Sequence, residues 1–201
     1  MPNFTDLTGL VGIASAIAAF LFLLPGLSRL GKPHLAMLLG TVFVLTLIPF
    51  GGMPLAAYVR GVTGDLSITT LVLLWCALLK PWYGEVKGNN CFALLILIAF
   101  AAFALYPMAL GVGAYDPYRL GFGNPLFVAA LLVLALAAWF WKSHSVTLCI
   151  ALATFAWTVG WYESTNLWDY LLDPFVSIYA LSAIIIHAVK VLVRNTSRLK
   201  G

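Results

Sequence analysis

Charge is what this chain has least of. Only 9% of its 201 residues are Asp, Glu, Lys or Arg, and 63% are hydrophobic; soluble domains carry roughly a quarter charged residues, so a water-solvated globular surface is excluded. Cysteine is nearly as sparse. Cys76, Cys91 and Cys149 form no Cys-x-x-Cys pair, have no histidine close by in sequence, and read as packing residues within apolar runs. His34 and His144 fall at expected loops on one membrane surface and His187 in the inner half of the last helix, so no haem or metal set is expected, nor any other cofactor. The chain also lacks Gly-x-Ser-x-Gly, His-Glu-x-x-His, Gly-x-x-x-x-Gly-Lys and Gly-x-Gly-x-x-Gly, the spacings that build nucleophile elbows, zinc sites and phosphate cradles. Enzymatic chemistry is therefore the weakest expectation. No basic run precedes the first apolar segment, so a cleaved signal peptide is not expected.

What is present is hydrophobicity at spanning length. The mean hydropathy is +1.01, and the chain has room for six or seven helices of about 20 residues each with short links. The reading is all-α: one integral membrane domain over 1–201, a polytopic transmembrane helix bundle. Its helices are expected near Leu7–Leu30, closing at Pro25-Gly26, then from Pro33, Leu66–Leu79, Cys91–Leu110, Leu126–Trp141, Val146–Gly160 and Pro174–Val193. The fifth, apolar all round, suits lipid. Pro49, Gly51, Gly52 and Pro54 interrupt the second, which predicts a broken or re-entrant segment over 49–66.

Sidedness follows from the few charges. Seven spans place Arg29, Lys32, Lys80, Lys87, Lys142, Lys190, Arg194, Arg198 and Lys200 on one side with Glu85 alone among acids. The other side receives Asp6, Asp65, Asp116, Glu163, Asp169 and Asp173 with Arg60 and Arg119. Short Lys/Arg-rich loops stay in the cytoplasm, so the amino terminus is expected outside and the carboxyl terminus inside, in a bacterial inner membrane. Six spans spoil this segregation. The basic residues are spread over helix ends without a phosphate-tracking cluster, which excludes nucleic acid as a partner.

The outer side also gathers the candidate ligand-binding residues: Tyr58, Arg60, Asp65, Asp116, Arg119, Glu163, Asn166, Asp169 and Asp173. If the stretch from Glu163 to Asp173 is helical, Asn166, Asp169 and Asp173 share one face by three- and four-residue steps. Two arginines can satisfy some of these acids and leave others for a cation or a polar solute. A faint echo at an offset of sixty sets Tyr58, Gly61 and Leu66 on Tyr118, Gly121 and Leu126, as in transporters built from repeated hairpins.

Three functions fit. The first is a small transporter or solute-recognition subunit whose outer pocket takes a small solute or a lipid headgroup, lined by the broken second helix and the loops at Asp116 and Asp169. The second is a non-catalytic subunit that meets a membrane protein partner through the small residues Gly12, Ala14, Ser15 and Ala18 of helix one. The third is an enzyme acting on a lipid-linked substrate at the outer leaflet. Membrane lipids are partners in all three.

Overall fold

A computed structural model describes residues 4–22, 31–83 and 91–198. Within them the chain is all-α but for one two-residue hairpin. The elements are α1 (Phe4–Phe22), α2 (Lys32–Leu47), β1 (Pro49–Phe50), β2 (Met53–Pro54), α3 (Leu55–Thr63), α4 (Ile68–Tyr83), α5 (Cys91–Ala109), a 3-10 turn (Pro117–Gly121), α6 (Pro125–Phe140), α7 (His144–Thr158), α8 (Leu167–Leu171) and α9 (Pro174–Arg198). The expected closure at Pro25-Gly26 and the charges of Arg29, Glu85, Lys87 and Lys200 lie outside the described residues.

Three helices are long and apolar enough to cross a membrane: Thr5–Phe22, Cys91–Ala109 and Pro174–Arg194. Four shorter apolar helices accompany them, over Lys32–Leu47, Ile68–Leu79, Pro125–Phe140 and His144–Thr158. The chain is a membrane protein by this measure.

The break after α2 takes a specific form. Pro49 pairs with Pro54 and Phe50 with Met53 in an antiparallel register, and Gly51 and Gly52 turn the corner with φ of 66° and 105°, a left-handed backbone that side chains disfavour. The amphipathic α3 then runs back towards α1, burying Ala56 and leaving Leu55, Tyr58 and Val62 exposed.

Packing divides into layers. The main core joins Ile68 of α4, Leu94, Ile98 and Leu105 of α5, Cys149 and Ala153 of α7, Leu167 and Tyr170 of α8, and Val176 and Ala180 of α9. Beside it, Ile13 and Ala14 of α1 pack with Ala56 of α3, and Ala19 and Phe22 of α1 with Leu35 of α2 and Leu78 of α4. Small side chains let these backbones approach closely. Ala14 is 0% exposed and Ala18 4%, with Gly12 and Ser15 also buried. The small-residue face of helix one packs against the chain's own α2, α3 and α4.

Several boundaries differ from expectation. α4 continues past Lys80-Pro81 to Tyr83, because a proline in the last turn forfeits a single backbone bond and leaves the preceding turns intact. His34 and His144 stand in the first turns of α2 and α7, not in loops. α6 behaves as anticipated: only Ala138 is buried, while Leu126, Leu132, Val133 and Phe140 face outward. Exposed apolar side chains on this scale suit contact with lipid.

Candidate functional site

Arg60 is the hub of the loops that hold the acids. It leaves the last turn of α3, and its Nε donates to Asp65 Oδ1 at 2.6 Å and its Nη2 to Asp65 Oδ2 at 2.9 Å. This forked geometry is the strong form of an arginine–carboxylate pair. Nη1 reaches Asp6 Oδ1 of α1 at 3.3 Å, and Nη2 lies 3.6 Å from Glu163 Oε1 in the α7–α8 loop. The hydrogen bonds it donates to Asp65 raise the guanidinium pKa further despite burial, so Arg60 stays charged. One cation therefore serves three carboxylates from three distant segments.

The pair lies directly on α1. A Cβ at Gly9 would come within 2.5 Å of Asp65 Oδ1 and 2.6 Å of Arg60 Nε, so only glycine lets the ion pair approach the helix there. Thr8 Oγ1 donates to the carbonyl of Trp161, a second tie from α1 to the α7–α8 loop.

That loop is fastened from beneath by Tyr170, which is 0% exposed. Its hydroxyl accepts from Tyr162 N at 3.0 Å and donates to the Ser164 carbonyl at 3.0 Å, and its ring stacks on Tyr162 at 5.1 Å. Burial pushes both phenols above their usual range. Tyr162 Oη itself is buried and has no hydrogen-bond partner among the described residues.

Asp173 begins α9. Its Oδ1 accepts from Val176 N at 2.8 Å, and its Oδ2 accepts from Ser67 N at 2.8 Å and Thr70 Oγ1 at 2.5 Å at the start of α4. Asp169 on α8 accepts from Tyr118 Oη at 2.9 Å and from Ser164 Oγ at 2.5 Å. Burial, then the bond to Asp169, push the Tyr118 phenol up to about 12. Among the described residues, every hydrogen bond to the Asp169 and Asp173 carboxylates comes from a neutral donor.

Asp65, Asp169 and Asp173 line one cleft of about 350 Å³ with Tyr106, Tyr118 and Trp168. A second cavity of about 330 Å³, beside the 3-10 turn, is lined by Tyr115, Asp116, Arg119 and Asn124. The nine anticipated residues thus separate. Arg60, Asp65 and Glu163 belong to the ion-pair network, and Asp65 joins Asp169 and Asp173 in the first cleft. Asp116 and Arg119 belong to the second cavity. Tyr58 stands apart, exposed, 3.4 Å from the Gly51 carbonyl.

Asn166 engages its side chain within the fold. Its Oδ1 accepts from Trp168 N at 2.9 Å to cap α8, and its Nδ2 donates to the Tyr118 carbonyl at 2.9 Å. It packs so close to Gly121 that a Cβ there would lie 1.7 Å from Asn166 Oδ1. The expected common helical face of Asn166, Asp169 and Asp173 is not formed, because helix exists only over Leu167–Leu171. Asn166 and Asp173 instead cap two successive helices. The offset-sixty echo has no structural counterpart: Tyr58 and Gly61 are within α3, Tyr118 and Gly121 in the 3-10 turn. Sequence reading did not single out Gly9, Thr8, Thr70 or Ser164, whose roles appear only once their spatial neighbours are known.

No protein-family model matches the chain, and no curated protein or solved structure is significantly similar to it.

Proposed function

We propose that the chain is a seven-span bundle of a bacterial inner membrane, amino terminus outside and carboxyl terminus cytoplasmic, acting as a small transporter or solute-recognition subunit. Its outward cleft receives a small cationic solute. The described acids Asp6, Asp65, Glu163, Asp169 and Asp173 are tied into the same set of loops. Lys32 opens α2 and Lys142 follows α6, at the ends of those helices opposite the β1–β2 hairpin and the 3-10 turn, the arrangement that retention of basic loops in the cytoplasm calls for.

The observation that carries the ligand class is the cleft's charge. Arg60 is already shared among three carboxylates, and among the described residues Asp169 and Asp173 are met only by hydroxyl and backbone donors. The aromatic lining of Tyr106, Tyr118 and Trp168 adds ring faces that attract cations. Docking on a larger complex through helix one is disfavoured by the burial of Ala14 and Ala18.

Equilibrium binding of radiolabelled methylammonium to the full chain in detergent tests the reading. Asp169→Asn is expected to weaken binding about tenfold, the loss of one charge-assisted hydrogen bond. Glu163→Gln, at a side chain 63% exposed, is expected to leave it unchanged. Equal binding by the wild type and Asp169→Asn would reject a cation site in this cleft.

A further inference from the structure

The second cavity carries a different chemistry. Its walls hold one positive and one negative side chain, Arg119 and Asp116, which do not pair with each other: every ion pair among the described residues belongs to Arg60. Arg119 is exposed on the 3-10 turn. Asp116 Oδ1 accepts from Tyr118 N at 3.0 Å, which fixes the carboxylate at the head of the turn. Asn124 commits its Oδ1 to Leu126 N at 2.9 Å and Phe127 N at 3.3 Å, leaving its amide N–H groups as donors. Close in sequence to the lining residues stand exposed apolar side chains, Leu110 84% exposed, Val112 65% and Leu126 79%.

Opposite charges held apart in one cavity complement a ligand that carries both. The guanidinium fork matches a phosphodiester, and a carboxylate beside the ring of Tyr115 matches an ammonium group. The neighbouring leucines and valine match acyl chains. We infer that this cavity binds the headgroup of a zwitterionic glycerophospholipid, phosphate on Arg119 and ammonium on Asp116. The inference rests on the reading above that these loops lie at the membrane surface, and it is independent of the cation cleft.

The test is native mass spectrometry of the full chain released from micelles containing equal amounts of phosphatidylethanolamine and phosphatidylglycerol. The wild type is expected to retain one phosphatidylethanolamine at least fivefold more often than phosphatidylglycerol. Arg119→Gln is expected to lose retention of both lipids. Asp116→Asn, which can keep the hydrogen bond from Tyr118 N, is expected to lose the preference while still retaining phosphatidylglycerol. Equal retention of the two lipids by all three proteins would overturn the headgroup site. So would glycerophosphoethanolamine, the soluble headgroup, binding as tightly as the lipid, since the cavity would then take a free solute. A carbonate wash of vesicles carrying the wild type separates the two readings. Release of the chain would overturn the membrane reading and the headgroup site together, whereas a chain that stays with lipid yet shows no preference overturns the headgroup site alone.

Discussion

At the scale of single residues, what decides the architecture is where a side chain is missing. Gly9 and Gly40 are both helical glycines, but a Cβ at Gly9 meets the Arg60–Asp65 pair while a Cβ at Gly40 meets nothing within 4 Å. Alanine is the better helix former by about 0.5–1 kcal/mol, so Gly40→Ala is expected to stabilise by up to that amount. Gly9→Ala must displace a forked ion pair, and a loss of about 1–3 kcal/mol is expected, as for other overpacked sites. Denaturant unfolding of both variants in one detergent checks the sign reversal. The role of Gly9 was not legible in the sequence, because a glycine in an alanine-rich helix looks like filler until its neighbour is known. The pairing of Arg60 with some of the acids, Asp65 and Glu163 among them, was legible for the opposite reason: isolated ions are too costly in lipid to be left unpaired. Tyr118 adds a pH signature. Its pKa, pushed up to about 12 from 10.0 by burial and Asp169, favours the protonated phenol in the folded state. That stabilisation is complete below pH about 10 and is lost as pH rises towards 12. Tyr118→Phe is expected to flatten this part of a stability-against-pH profile measured by unfolding.

At the scale of elements, the instructive case is the acidic stretch before α9. Three- and four-residue spacing suggested one helical face, yet the chain uses Asn166 and Asp173 as successive caps. Asp173-Pro174 is itself a helix-start signal, with proline at the first helical position where its missing N–H costs nothing. Periodicity across a boundary of that kind carries no meaning. The break after α2 was readable because prolines and glycines at 49–54 leave a helix no continuous bonding, although its hairpin form depends on a pairing that composition does not specify. The capping role makes a quantitative claim. Asp173→Ala removes an N-cap, worth about 0.5–2 kcal/mol, and leaves the fully buried Ser67 N–H without its acceptor, about 1–3 kcal/mol more. A combined loss of about 1.5–5 kcal/mol is expected on unfolding. Asp173→Asn, which retains the bond to Val176 N, is expected to fall between this variant and the wild type.

At the scale of the whole molecule, the question is whether the shorter apolar helices span. α6 has 16 residues, about 24 Å of helix at 1.5 Å per residue against about 30 Å of hydrocarbon. Trp139 and Trp141 at its far end, 58% and 80% exposed, are residues that favour the headgroup boundary. With Cys76, Cys91 and Cys149 replaced by alanine, Val112→Cys is expected to react with an impermeant maleimide on intact cells. Lys142→Cys is expected to react only after permeabilisation. Labelling of both from outside would remove α6 from the set of spans. The Arg60 hub also bears on how the chain is made. Its partners Asp6 and Asp65 are synthesised close to it in time, whereas Glu163 emerges a hundred residues later. The guanidinium therefore has its early neighbours available to pair with before the last acid exists, and Glu163 on arrival ties α3 to a core built from the later half of the chain.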